Sequence, residues 1–306
     1  MAYNNKYIRF DWAVKRMLRD KANFVVLEGL ITVLLGEKII ITEILESEGN
    51  QEREDDKFNR VDIKAKNSKE EIIIVEVQLT RQIYYMQRIL YGVSKAITEH
   101  IKVGQKYDQV RKVYSINIVY FDLGKGKDYL YHGRTTFKGV HTGDHLQVSM
   151  QEANEIKMRV PDDVFPEYFI IRINEFNDIA TTPLEEWIDY LKNNRINENT
   201  TAPGLQEARK KLQYMMMSEG DRHAYDAHID AIMVQNDAFD IAKEEGRAEG
   251  RIEGRREGIA EGRKEGRAEG DREASLRIAT KMKQEGLPIS AIVSFTNLSE
   301  EEIENL

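Results

Sequence analysis

Over the first part of the chain, apolar residues follow two periods in turn. Residues 24–36, FVVLEGLITVLLG, carry them at helical spacing and end on a glycine suited to a helix C-cap. Residues 38–49, KIIITEILESEG, are rich in β-branched side chains and predict a strand. Residues 59–79 predict a β-hairpin with a polar turn at 67–70. A long amphipathic helix is expected over 81–101 and a buried strand over 112–123. Helix, strand, strand, helix, strand is the order of an α/β domain with helices packed on a mixed sheet.

One strand breaks the alternation. Ile73, Val75, Val77 and Leu79 make one face wholly apolar, while on the other Ile72 and Ile74 are followed by Glu76 and Gln78. Burying an unpaired carboxylate is costly, so Glu76 needs a partner or a task. On the preceding strand Val61, Ile63 and Ala65 share one face, and Asp62, Lys64 and Lys66 the other. A turn at 67–70 puts residue 62 opposite 75 or 76, which makes Asp62 and Glu76 cross-strand neighbours about 5 Å apart at Cβ. Two acids that close repel unless a proton or a cation lies between them. Their oxygens suit Mg²⁺, with Mn²⁺ as alternative, because these ions retain waters and accept phosphate oxygens. Such a site serves metal-assisted phosphodiester hydrolysis. A solvated sheet face, with the two acids paired to Lys64, Lys66 or Arg60, explains the same pattern equally well, and a one-residue slip of register would turn Glu76 into the core.

Beyond residue 180 strand character fades. Helical pattern runs from about 204 to 245, and a low-complexity tract follows in which glycine recurs every fourth residue from Gly246 to Gly270. Each helical glycine costs close to 1 kcal/mol relative to alanine. A bare stripe lets another backbone approach closely, whereas a charged linker is the alternative reading. The last residues predict short helices, with Ser299 as N-cap and Glu302 three residues on. Their spacing is that of a small helix-turn-helix, but ISAIVSFTN has no Arg or Lys to reach bases or phosphates, so a protein-contact module is expected.

Composition narrows the picture further. With 306 residues and 41% hydrophobic content the chain can build a sizeable core, and no apolar run approaches a membrane span. The N-terminus lacks a basic segment leading into an apolar stretch, so a cytoplasmic protein is expected. The absence of cysteine excludes disulfides and thiolate chemistry, and a net charge of −8 argues against a generic nucleic-acid coat. There is no phosphate-cradling Gly-Lys-Ser/Thr loop and no G-x-S-x-G elbow. His141, Asp144 and His145 cluster in a segment that reads as a polar loop, without a further ligand in view.

The segments FDWAVKRMLRDKANFVVLEGLI, KFNRVDIKAKN, IIIVEVQLT, MQRILYGVSKAI and GQKYDQVRKVYSINIVYFDL, in this order, resemble the PD-(D/E)xK nuclease superfamily. More narrowly they resemble the Rpn group of recombination-promoting nucleases and transposases. The resemblance covers roughly the first 150 residues and, less specifically, the Glu-Gly tail. It implies a restriction-endonuclease-like mixed sheet flanked by helices, with an all-helical C-terminal extension. It also implies a Mg²⁺-dependent DNA endonuclease linked to recombination or mobile elements. Asp62 and Glu76 match the metal-binding acids of that group. Gln78 stands where the wider superfamily has Lys, as is common in the Rpn group, and the motif's opening Pro is replaced by Val61. A neutral amide cannot supply positive charge but can orient a water. Lys64, on the face of Asp62, is the candidate for the missing cation and for DNA contact. Glu28 matches an additional acid that many members place beside the metal. Arg88 and Tyr91 match recurrent positions on the helix after the second motif. There Met86, Ile89, Leu90 and Val93 are expected to pack, with Tyr91 in the core, leaving Arg88 to hold a phosphate bidentately.

The organisation expected is a nuclease-like domain at 1–180, a helical region at 181–244, the repeat at 245–272 and a small helical module at 273–306. The rival reading is a protein that keeps this fold but only binds DNA or assembles, given Gln78 and the missing Pro. If the glycine stripe joins copies of the chain into a homo-oligomer, removing residues beyond 240 lowers the oligomeric state. Sedimentation of full-length and shortened protein should then give different numbers of chains per particle, and identical numbers would make the tract a linker.

Overall fold

The computed structural model describes residues 7–16, 18–46, 61–101, 106–152 and 155–306. Arg60 lies outside the described residues. The chain divides into two compact units, Met1–Asp226 and Ala227–Leu306.

In the first unit, helices α1 (Phe10–Arg16) and α2 (Phe24–Leu35) precede the strands. Gly36 ends α2 in the left-handed conformation, φ 72°, as a C-cap requires. Strands β1 (Ile41–Leu45), β2 (Ile63–Asn67) and β3 (Ile72–Gln78) form an antiparallel meander. The β2–β3 turn is set by Asn67, whose Oδ1 accepts from the backbone N–H of Lys69 at 3.0 Å and of Glu71 at 2.9 Å. This local bonding lets Glu70 take a φ of 64°.

Helix α3 (Tyr85–Glu99) then carries the chain to β4 (Val113–Val119), parallel to β3, because a parallel pair needs a crossover. Strand β5 (Leu130–Gly133) and the separate hairpin β6 (Val148–Glu152) and β7 (Glu155–Arg159) follow. Strand β8 (Glu167–Arg172) runs parallel to β4 and antiparallel to β5, completing a six-stranded sheet of order β1-β2-β3-β4-β8-β5. The mixed sheet flanked by helices is the α/β arrangement that the element order predicted and the restriction-endonuclease-like architecture that the resemblance implied.

On α3 the buried positions are Tyr85, Ile89, Gly92, Val93 and Ala96, a different stripe from the one expected. Ile72, Ile74, Val93 and Ala96 pack together, which seats the helix on the face of β3 that also carries Glu76. Met86 is 54% exposed and Leu90 58%, which corrects the expectation that both pack. Tyr91, expected in the core, is 37% exposed.

Helices α4 (Pro183–Asn193) and α5 (Leu205–Lys211) belong to the first unit and pack on α2. A capping box of Thr182 and Glu185 starts α4, whose Trp187 and Tyr190 meet the Phe10 ring edge-on. Helix α6 (Glu219–Gln284) contains the whole glycine repeat. In the second unit its end packs with α7 (Ile289–Thr296) and α8 (Glu300–Glu304) through Ala279, Ile292, Leu298 and Ile303. Ser299 and Glu302 form the capping box of α8. Among the described residues no helix is long and apolar enough to cross a membrane.

Where α2 meets α5 the backbones almost touch. A Cβ at Gly29 would collide with Pro203 O, and Gly204 opposite takes a φ of 79°. Gly29→Ala should destabilise the first unit by about 3 kcal/mol, the upper range for overpacking. Urea unfolding checks this, and an unchanged midpoint would mean that the crossing relaxes freely.

Candidate active site

The site grows out of the β2–β3 register. Ile63 pairs with Val75 and Lys64 with Ile74, so the antiparallel count carries Asp62 opposite Glu76. Asp62 sits just before β2, and its Oδ2 accepts from the backbone N–H of Val77 at 2.7 Å. Its backbone carbonyl in turn accepts from Arg19 Nη2 at 2.7 Å. These two bonds fix Asp62 from both sides, and Arg19 gave no sign of this role in the sequence.

Glu76 lies in the middle of the sheet, 5% exposed, with Asn117 of β4 as its other neighbour. Its Oε1 is 2.6 Å from Arg88 Nη2 on α3, and Arg88 Nη1 donates to Gln82 Oε1 at 3.0 Å. Burial pushes the Glu76 carboxyl from its ordinary value of 4.5 up to about 7, with Arg88 opposing and the Asp62 charge adding to the rise. Tyr85 is buried beside this group, its OH 3.5 Å from Asn117 Oδ1. Burial and the Glu76 charge raise its phenol well above the ordinary range. Asn117 donates to Ser115 Oγ at 3.0 Å and to Phe169 O at 3.3 Å, so the polar layer behind Glu76 continues into β8.

The remaining predicted residues divide. Gln78 follows on the same face, half-buried, its amide donating to Thr80 O at 3.1 Å. Lys64 shares the face but is buried with its Nζ 2.6 Å from Glu99 Oε2 on α3. Lys66 pairs with Glu43 at 3.1 Å and Glu70 at 3.4 Å. Among the described residues the cation that meets Glu76 is Arg88. Glu28 is held elsewhere: its Oε1 accepts from Ile41 N at 2.7 Å, where β1 pairs with Asn67 at the far end of β2 from Asp62. Asp144 accepts from Thr142 Oγ1 within an exposed loop that also holds His141 and His145. Among the described residues no three His, Cys, Asp or Glu side chains converge as a metal cluster.

The donor set at Asp62 and Glu76 fits a hard divalent cation. A buried carboxylate whose charge is disfavoured both by burial and by a second carboxylate gains most from a bound positive charge. Two oxygen donors leave positions for waters and phosphate, as Mg²⁺ prefers.

Among proteins of known family, the model of the PD-(D/E)XK nuclease family transposases matches residues 8–241, most of the chain and all of the site. No curated protein and no solved structure matches.

The Glu76 shift has a consequence for stability. Between pH 4.5 and about 7 the folded chain keeps a proton that the unfolded chain has released, so stability falls as pH rises through that window. The fall is about 3 kcal/mol at 1.36 kcal/mol per pKa unit. Urea unfolding in EDTA at pH 5 and pH 7.5 should show Glu76→Gln lacking this loss. Parallel pH dependence in both proteins would put the Glu76 carboxyl near its ordinary value.

Proposed function

The chain belongs to the PD-(D/E)XK nuclease family transposases, and from that premise we propose that it is a metal-dependent DNA endonuclease. The observation that carries this reading is the buried Glu76 set across the strand pair from Asp62, with Arg88 against its carboxylate. Nucleases of this superfamily generally use divalent metals. Asp62 and Glu76 would hold the ion, Mg²⁺ or Mn²⁺, which supplies a Lewis acid and an acidified water.

The chain's own side chains do the rest. Asp62 keeps one oxygen tied to Val77 N and so presents the other in a fixed direction. Glu76 closes the pair from within the sheet. Arg88 pairs with Glu76 and offsets part of its charge, and its planar guanidinium is suited to a phosphate as well. This assigns to Arg88 the positive charge that the Gln78 substitution removes and that Lys64, engaged by Glu99, does not present. Gln78, anchored through its amide nitrogen to Thr80, has a carbonyl oxygen with which to orient a water. The family's description as transposases supports recombination or mobile-element movement as the biological setting.

A second reading, a nuclease fold that binds DNA without cutting it, draws on the same ion pair, since an arginine already lies against the Glu76 carboxylate. Cleavage of supercoiled plasmid with Mg²⁺, Mn²⁺ or EDTA separates the two. Nicked or linear product that requires metal supports the endonuclease, and binding without product supports the second reading. Asp62→Ala and Glu76→Ala should each lower the cleavage rate by 100-fold or more, on the order of one lost electrostatic contact to the transition state. Arg88→Ala should lower it roughly tenfold or more and weaken DNA binding. A folded Asp62→Ala protein that cuts at the wild-type rate would remove the site assignment.

A further inference from the structure

Beside the candidate site, the approach to α3 and the loop between β4 and β5 border an open cavity of about 450 Å³. That volume is in the range of small-ligand sites. Tyr85 and Phe121 line it and meet edge to face, their centroids 5.6 Å apart. Ile83, Met86 and Tyr131 line it as well, and each exposes apolar surface: 87%, 54% and 39% of the residue. Two exposed cations, Arg81 and Lys125, also line it. An aromatic and thioether concavity beside exposed cations is complementary to a nucleobase with its phosphate. Any base offers a π-face for stacking, and the phosphate needs positive charge.

The loop side of this cavity is held firmly. Buried Arg172 donates to Gly124 O at 2.7 Å and Gly126 O at 3.1 Å and is anchored by Glu175 at 3.1 Å. Its guanidinium also lies 6.0 Å from the Tyr131 ring centroid. A wall bonded in this way is ordered before any ligand arrives, which lowers the entropy lost on binding.

Side chains link the cavity to the candidate site. Gln82 lines it and accepts from Arg88 at 3.0 Å, while the same guanidinium touches Glu76 at 2.6 Å. Bases in a duplex are stacked and paired, so only an unpaired or extruded one can enter a lined cavity. We propose that this cavity takes one unpaired nucleobase of the strand being cut, so that the substrate is DNA with an unpaired or extrudable nucleotide near the scissile phosphate. This deepens the nuclease reading and rests on it.

The test compares two single-stranded oligonucleotides of equal length, one all-thymidine and one abasic, binding the full-length protein in EDTA. Both present the same phosphates, so only the base contact differs. Thymidine DNA should bind about tenfold more tightly, within the range that one stacked base supplies. The double variant Ile83→Ser/Met86→Ser, at exposed positions outside the proposed metal and phosphate contacts, should bring the two affinities together while retaining cooperative unfolding. Arg81→Gln should weaken both oligonucleotides alike. Equal wild-type affinities, or a thymidine preference that persists in the folded double variant, would overturn the proposal. If equal affinities accompany metal-dependent plasmid cleavage, only the base cavity falls. If neither oligonucleotide binds and no plasmid is cut, the nuclease reading falls with it.

Discussion

A carboxylate in the middle of a β-sheet needs positive charge or a proton, and the Glu76 environment is arranged around that requirement. Arg88 supplies part of the charge from α3 at 2.6 Å, and burial raises the carboxyl to about 7 all the same. A carboxyl raised in this way is one whose charged form a bound cation would stabilise. The neighbours follow from this. Asp62 is pinned by Val77 N, and Asn117 and Tyr85 form a polar layer behind the site. Helix α3 must sit where its buried stripe and Arg88 are both satisfied at once.

Much of the fold was legible because local rules and the global pattern agree. Gly36 at a C-cap, Asn67 in the hairpin turn and the apolar run of β3 each carry their own signal, and the turn alone fixes which residues face each other. The adjacency of Asp62 and Glu76 is therefore readable from the chain. Beyond the local register less could be read. Which of several cations reaches Glu76 depends on the rotation of α3. Met86 and Leu90 carry the same apolar label as Ile89 and Val93 yet face outward. That rotation brings Arg88 to Glu76 and Glu99 to Lys64, a pairing that sequence spacing does not specify. Glu28 is held by the β1 backbone for a similar reason, since helix placement decides what a helical acid meets. Strand β8, inserted between β4 and β5, and the contact of Arg19 with Asp62 are long-range features with no short-range sign.

Positive charge beside Glu76 comes from a helix rather than from the strand that carries the acid. Gln78 contributes no charge, and the nearest lysine on β2 is committed to Glu99. Arg88 on α3 lies against Glu76 instead, with a planar guanidinium in place of an ammonium. That exchange couples the site to α3, whose first turns also line the neighbouring cavity through Tyr85 and Met86. Charge, strand register and helix seating thus act on one small region, whereas the repeat helix and the terminal module form a unit of their own.

The most direct test of this account is the titration of Glu76 itself, followed by carboxyl-carbon NMR of isotope-labelled protein, without metal and with saturating Mg²⁺. The account predicts a midpoint near 7 in EDTA that falls by 2 units or more with Mg²⁺, as an opposite charge against a carboxylate requires. Asp62→Asn should abolish most of that metal-induced fall. A midpoint near 4.5 that Mg²⁺ leaves unmoved would contradict it.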